Sequence, residues 1–148
     1  MVGRFEAFTL GLSEIMSSWN KIAADEMSHF GLKGAYVIYL IALYKHPEGL
    51  TSANLSEMCN RDKAEVSRAI KTLEAKGLVE RENTTVNGYR AKITLTTQGR
   101  ESTKALRERV KLAVEKGGEG LSEEERDSFY SALETISANL KKISKEGL

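Results

Sequence analysis

The feature that most restricts the fold is a change in hydrophobic periodicity at Gly77. Before this glycine, Val66, Ile70 and Leu73 recur at three- and four-residue steps, which is the spacing of one helix face. After it, apolar and polar residues alternate over 91–95, which is the pattern of a half-buried strand. The sequence therefore predicts a helix over 63–76, closed by Gly77, and then a two-stranded antiparallel hairpin.

The predicted helix 63–76 has two chemically different faces. Asp62 is placed to cap it, with Glu65 three residues on in the spacing of a capping box. Opposite the apolar face, Ala64, Arg68 and Lys71 fall together, with Ser67 at the flank. A short helix over 51–59 precedes it, so the pattern indicates two helices joined by a tight turn.

The hairpin is predicted from Asn87-Gly88, a strong turn signal between the strands 78–82 and 91–95. A two-residue turn at this point would place Glu82 opposite Ile93. We therefore expect a bulge or a longer loop that brings Val79 beside Ile93 instead.

The rest of the chain is predicted to be helical. An apolar stripe indicates an amphipathic helix over 5–28, and an all-round apolar run indicates a buried helix over 35–44. A charged helix runs from Thr96-Thr97 to about Glu115, and Ser122 opens a last one with a capping box. That last helix has a seam at steps of four, three, four and three residues, which requires a partner: Phe129, Leu133, Ile136, Leu140 and Ile143.

Charge distribution indicates where a polyanion would bind. The net charge is +1, but residues 61–92 carry eight basic and five acidic side chains, while the ends of the chain are acidic. The longest apolar run has ten residues, short of the ~20 that span a bilayer. Glu6 and Glu14 interrupt any signal-peptide core, so we expect a cytoplasmic protein without membrane association.

Catalytic and metal-binding motifs are not found in the sequence. One cysteine, Cys59, and two histidines exclude a disulfide within the chain and a Cys/His zinc cluster. No nucleophile motif, P-loop or metalloprotease motif is present, so we expect neither an enzyme nor a cofactor or metal.

Two helices, a tight turn and a basic hairpin form the pattern of a winged helix-turn-helix, in which the second helix enters the DNA major groove and the hairpin reaches the flanking backbone or minor groove. A docking module for another protein is the alternative, but its helix should expose large apolar groups. The candidate DNA-contact residues are Arg61, Lys63, Ala64, Ser67, Arg68, Lys71, Asn87, Arg90 and Lys92.

Four runs, Leu55–Cys59, Asp62–Arg68, Leu73–Arg81 and Leu95–Gly99, resemble the MarR family of bacterial transcription regulators. The resemblance implies a mainly α (α+β) fold with a single domain over 1–148. Residues 32–98 would form the winged-helix lobe, and 1–30 with 99–148 the dimerisation helices. It also implies a homodimer on a pseudo-palindromic double-stranded operator, usually a repressor released by a small aromatic or phenolic acid.

Further site residues follow from this resemblance. The expected dimerisation residues are Phe8, Leu12, Phe129, Leu133, Ile136 and Leu140, and the expected effector-binding residues are Trp19, Tyr36 and Tyr39. The family's wing commonly carries Asp-x-Arg, whereas Asn87-Gly88-Tyr89 stands here, with Arg90 displaced by one. Cys59 is either a peroxide-sensing thiol or a small buried residue, and we favour burial because Leu55 and Met58 are expected to pack inward.

Overall fold

The computed structural model describes residues 3–82 and 90–148. Its elements are α1 (Arg4–Ser28), a 3-10 turn (Gly34–Tyr36), α2 (Val37–Lys45), α3 (Ser52–Cys59), α4 (Lys63–Ala75), β1 (Val79–Arg81), β2 (Ile93–Leu95), α5 (Thr97–Gly117) and α6 (Glu123–Glu146). The predicted mainly helical fold with a small antiparallel hairpin is therefore confirmed. Met1–Arg109 and Val110–Leu148 form two compact units. In the described ranges, no helix has the length and apolar content needed to cross a membrane.

The core of the first unit is built by α2, α3, α4 and the sheet. Leu43, Leu55, Ile70 and Ile93 are completely buried, one from each of these elements. The helix predicted over 35–44 corresponds to α2, and most of its apolar side chains are buried in this core. Ile38 is an exception, with 37% exposure. Two residues of this nine-residue helix, Ile38 and Lys45, point to solvent, while its other side packs on α3 and β2.

The turn between α3 and α4 has an unusual backbone. Asn60 adopts the left-handed conformation at φ 52° and ψ 52°, and Asp62 then caps α4 by accepting from the Glu65 backbone N–H at 2.8 Å. The expected inward packing of Met58 is wrong, because this side chain is 50% exposed while Leu55 and Cys59 face the core.

The register of the hairpin differs from the prediction. Val79 lies opposite Leu95 and Arg81 opposite Ile93, so the expected pairing of Val79 with Ile93 is wrong. Arg81 therefore lies on the same face of the hairpin as Ile93, and its charge is paired there, since its Nε lies 3.1 Å from Glu74 Oε1 on α4. The predicted turn at Asn87-Gly88 falls outside the described residues.

A third short strand contact was not predicted from the sequence. Leu50 and Ile93 exchange two backbone hydrogen bonds, at 3.0 and 2.8 Å, and so form an isolated antiparallel bridge on the free edge of β2. This contact ties the segment between α2 and α3 to the hairpin.

Two residues of the Leu95–Gly99 run, Thr96 and Gly99, join the start of α5 to the segment between α4 and β1. Thr96 donates its N–H to the Leu78 carbonyl at 3.0 Å and its hydroxyl to the Gly77 carbonyl at 2.7 Å, and its oxygen accepts from the Gly99 N–H. The first turn of α5 is therefore fixed to the end of α4. Gly77 has φ +74°, which confirms its predicted place after the helix.

Candidate nucleic-acid interface

The two faces of α4 determine which side chains point to solvent. Val66, Ile70 and Leu73 are fully buried, and Ala69 lies with them, so this helix cannot rotate about its axis without exposing core residues. The opposite side chains are therefore outward-facing: Lys63, Ala64, Arg68 and Lys71 are exposed, and Ser67 is half-buried. This confirms the two faces predicted from the periodicity.

The cations on this outer face are available to a ligand. Within residues 3–82 and 90–148, Lys63, Arg68 and Lys71 have no carboxylate within ion-pair distance. Ala64, exposed in the first turn, adds only a methyl group to this face. Small residues beside unpaired cations and a hydroxyl suit the major groove, where a helix must approach closely and meet phosphates and base edges.

Arg61, also predicted to contact DNA, lies against the turn with its side chain 40% exposed. Its Nη1 donates to the carbonyls of Cys59 and Asn60, at 3.2 Å each. Its Nε lies 3.8 Å from Glu65 Oε2, so the Glu65 carboxylate faces Arg61. Of the predicted capping box, α4 has the hydrogen bond that Asp62 accepts from the Glu65 N–H. The Arg61 guanidinium is thus already bonded within the chain.

The wing is described in part. Arg90 and Lys92 are exposed, and the backbone of Lys92 pairs with that of Glu82 at 2.8 Å. Asn87, the remaining wing candidate, lies outside the described residues. The ion pair between Arg81 and Glu74 connects the hairpin to α4, so the base of the wing is fixed to that helix.

Tyr39 and Cys59 lie in the core near the turn, with exposures of 2% and 1%. Burial raises the pKa of the Tyr39 phenol, and the nearby Arg61 guanidinium opposes that shift. Burial likewise raises the pKa of the Cys59 thiol, again opposed by Arg61. A buried thiol with a raised pKa is a poor nucleophile, which favours the structural role for Cys59.

The three residues predicted to bind an effector lie on α1 and around the start of α2. The rings of Tyr36 and Tyr39 are 6.4 Å apart, and Tyr36 and Trp19 are half-buried. The structure brings the two tyrosines together, and the effector-binding role of all three stays a prediction.

A cation–aromatic cluster on α5 was missed by the sequence analysis. The guanidinium carbons of Arg100 and Arg107 lie 5.0 and 4.5 Å from the ring centre of Tyr44. The only signal in the sequence is the seven-residue spacing of the arginines, which places them on one helix face. Their contact with Tyr44 fixes α5 against the end of α2.

The predicted dimerisation residues are exposed in the isolated chain. No residue of α6 is buried, and the seam residues from Phe129 to Ile143 have exposures between 37% and 48%. On α1, Phe8 and Leu12 are exposed as well, and Met27 is the one buried residue. Each helix thus presents an apolar stripe that the chain itself leaves open to solvent.

Comparisons with known proteins agree with this geometry. A family model described as MarR family matches residues 30–88. An uncharacterized HTH-type transcriptional regulator of Bacillus subtilis, YybA, is 25% identical over 128 residues, covering 86% of this chain and 85% of that protein. A MarR-family regulator from Silicibacter pomeroyi is 27% identical with a TM-score of 0.75, covering 86% of both chains.

Similar folds also include a protein bound to DNA. A putative MarR family transcriptional regulator from Listeria monocytogenes, complexed with a 26mer DNA, has a TM-score of 0.84 at 21% identity and covers 99% of this chain and 97% of its own. At this level of identity the likeness concerns the fold.

Proposed function

We propose that this chain is a member of the MarR family and a sequence-specific DNA-binding transcriptional regulator that acts as a homodimer in the bacterial cytoplasm. The observation that carries the proposal is the outer face of α4, where exposed cations lie beside small residues and have no ion-pair partner among the residues that the structure describes. The DNA complex of the structurally similar Listeria protein supports the same use of the fold.

The proposed roles follow from position on α4. Arg68, in the middle of the exposed face, has the donor geometry to read a guanine edge, and Lys71, farther along, suits a phosphate. The buried face keeps both side chains in fixed register, because the helix is held by Val66, Ile70 and Leu73.

Dimerisation supplies the second recognition helix. The open apolar stripes of α1 and α6 support a second copy of the chain as their partner, since exposed seams of this kind are typical of obligate interfaces. Two linked copies would read half-sites about one helical turn apart.

The alternative, docking of a protein on α4, finds no support in the exposed residues. The outer face of α4 consists of alanines, charged residues and hydroxyls, and no large apolar side chain is exposed along this helix. A protein-binding face would be expected to present such groups.

Salt-dependent titration of duplex DNA tests the proposal. Arg68→Ala should cost about 1–3 kcal/mol at the preferred site and relax selectivity at one base pair, while Lys71→Ala should weaken all duplexes and reduce the slope of log affinity against log salt by about 0.9 per contact. Lys116→Ala, which removes an exposed cation from the last turn of α5, is the matched control. Equal effects of all three substitutions would contradict the assignment.

We also propose that a small aromatic acid weakens DNA binding, and that its binding site lies near Tyr36, Tyr39 and Trp19. Ligand and DNA would then be coupled reciprocally, by about 1–3 kcal/mol. Titrating salicylate against free and DNA-bound protein tests this regulation, and equal affinity for both forms would contradict it.

A further inference from the structure

Arg61 occupies the turn between α3 and α4, and its side chain closes the end of α3. The last carbonyls of a helix have no partner within it and carry partial negative charge. Nη1 of Arg61 satisfies two carbonyls at this end, those of Cys59 and Asn60, with both distances 3.2 Å. The cation is therefore bound where the end of α3 attracts it.

The same guanidinium also reaches α4. Its Nε lies 3.8 Å from Oε2 of Glu65, in the first turn of that helix. One planar group thus contacts the last residues of α3 through Nη1 and the first turn of α4 through Nε. Because a guanidinium is rigid, these contacts restrain the direction in which α4 leaves the turn.

The backbone at Arg61 is fixed independently of its side chain. Its N–H donates to the Ser56 carbonyl at 3.1 Å, and the Ser56 hydroxyl donates to its carbonyl. Asn60 supplies the left-handed step, and Asp62 caps α4. A substitution at Arg61 therefore leaves the turn formed and removes only the restraint between the two helices.

We propose that Arg61 is a positioning residue of the DNA-binding surface, which sets the placement of α4 through the carbonyls of α3 and the carboxylate of Glu65. This inference rests on the proposed function. Base contacts require side chains held within about 0.5 Å of their productive positions, whereas phosphate contacts tolerate more movement. Loss of the restraint should therefore reduce selectivity more than general affinity for DNA.

The two possible roles of Arg61 predict different salt dependence. A residue that contacts phosphate contributes about 0.9 to the slope of log affinity against log salt. A positioning residue leaves that slope unchanged, but lowers the ratio of affinities for the preferred and an unrelated duplex. Global destabilisation would change neither quantity in the folded protein, so the ratio isolates the positioning role.

The experiment compares the full-length wild type with Arg61→Met and Lys71→Met, on a duplex selected by the wild type and on an unrelated duplex, over a range of salt. We expect Arg61→Met to lower the selectivity ratio about five- to tenfold with the slope unchanged. Lys71→Met should weaken both duplexes and lower the slope. A lower slope with unchanged selectivity for Arg61→Met, or no change in either, would overturn the inference.

Hydrogen exchange in the free protein provides a second readout. The Glu65 amide, bonded to Asp62 at the start of α4, should exchange several times faster in Arg61→Met, while the Leu73 amide in the buried part of the same helix keeps its rate. Unchanged exchange at Glu65 would also overturn the inference. A wild type without selectivity for any duplex would instead refute the proposed function, so the two failures are distinguishable.

Discussion

Replacing Gly99 by alanine tests the junction that fixes α5 to the winged-helix unit. Gly99 lies in the first turn of α5, and glycine to alanine within a helix ordinarily stabilises a protein by about 0.5–1 kcal/mol. At Gly99 the structure predicts that the same substitution destabilises the protein. A Cβ on Gly99 would overlap the Leu78 carbonyl oxygen and lie 2.8 Å from the carbonyl carbon, closer than real Cβ atoms approach other atoms.

The expected cost follows from what must move. The Leu78 carbonyl is backbone and cannot rotate away, so the first turn of α5 has to shift away from Leu78. Overpacking of this kind costs about 1–3 kcal/mol. The shift also weakens the bonds from Thr96 to the Leu78 and Gly77 carbonyls, each contributing about 1 kcal/mol. We expect Gly99→Ala to lower the free energy of unfolding by about 2–4 kcal/mol.

Urea unfolding at one fixed protein concentration measures this difference, because the stability of a dimer depends on concentration. Gly117→Ala is the matched control: it lies at the other end of α5, with nothing within 4 Å of its Cβ position. This variant should be neutral or slightly stabilised. A Gly99→Ala protein as stable as the wild type, or more so, would refute the reasoning.

Three other predictions follow from particular side chains. The double substitution Leu133→Glu and Ile136→Glu should yield monomers by sedimentation and abolish selective DNA binding, whereas a wild type that sediments as a monomer would contradict the dimer. Native Cys59 should resist iodoacetamide and react fully once unfolded in urea, because it is buried with a raised pKa; rapid native labelling would contradict this. Tyr44→Leu should cost about 1–2 kcal/mol of stability, while Tyr44→Phe retains its contact with both arginines; equal unfolding midpoints for the two would show that the ring contributes nothing.

The helices were predictable because their periodicity directly reflects burial. Val66, Ile70 and Leu73 share a face at helical spacing, and the structure buries all three. Gly77 ended the helix as expected, since a positive φ favours glycine. The outer face of α4 followed without further information, because it is the remainder of the same helical wheel.

The errors arose where contacts between distant segments decide the outcome. In the observed hairpin register Arg81 lies opposite Ile93 and pairs with Glu74 on α4, and the extra strand contact joins Leu50 to Ile93. Neither pairing leaves a periodic signal. The hydrogen bonds from Arg61 to the Cys59 and Asn60 carbonyls also left no signal in the sequence, and the contact of Arg61 with DNA stays a prediction.

Selection of bound sequences from random duplex DNA tests the central claim most directly. The wild-type protein should enrich a sequence with two-fold symmetry, whose half-sites are centred about one helical turn apart. Repeating the selection with Arg68→Ala should yield the same spacing with one position relaxed in each half-site. Recovery of random sequences, or of a single asymmetric site by the wild type, would contradict selective DNA recognition by a symmetric pair of α4 helices.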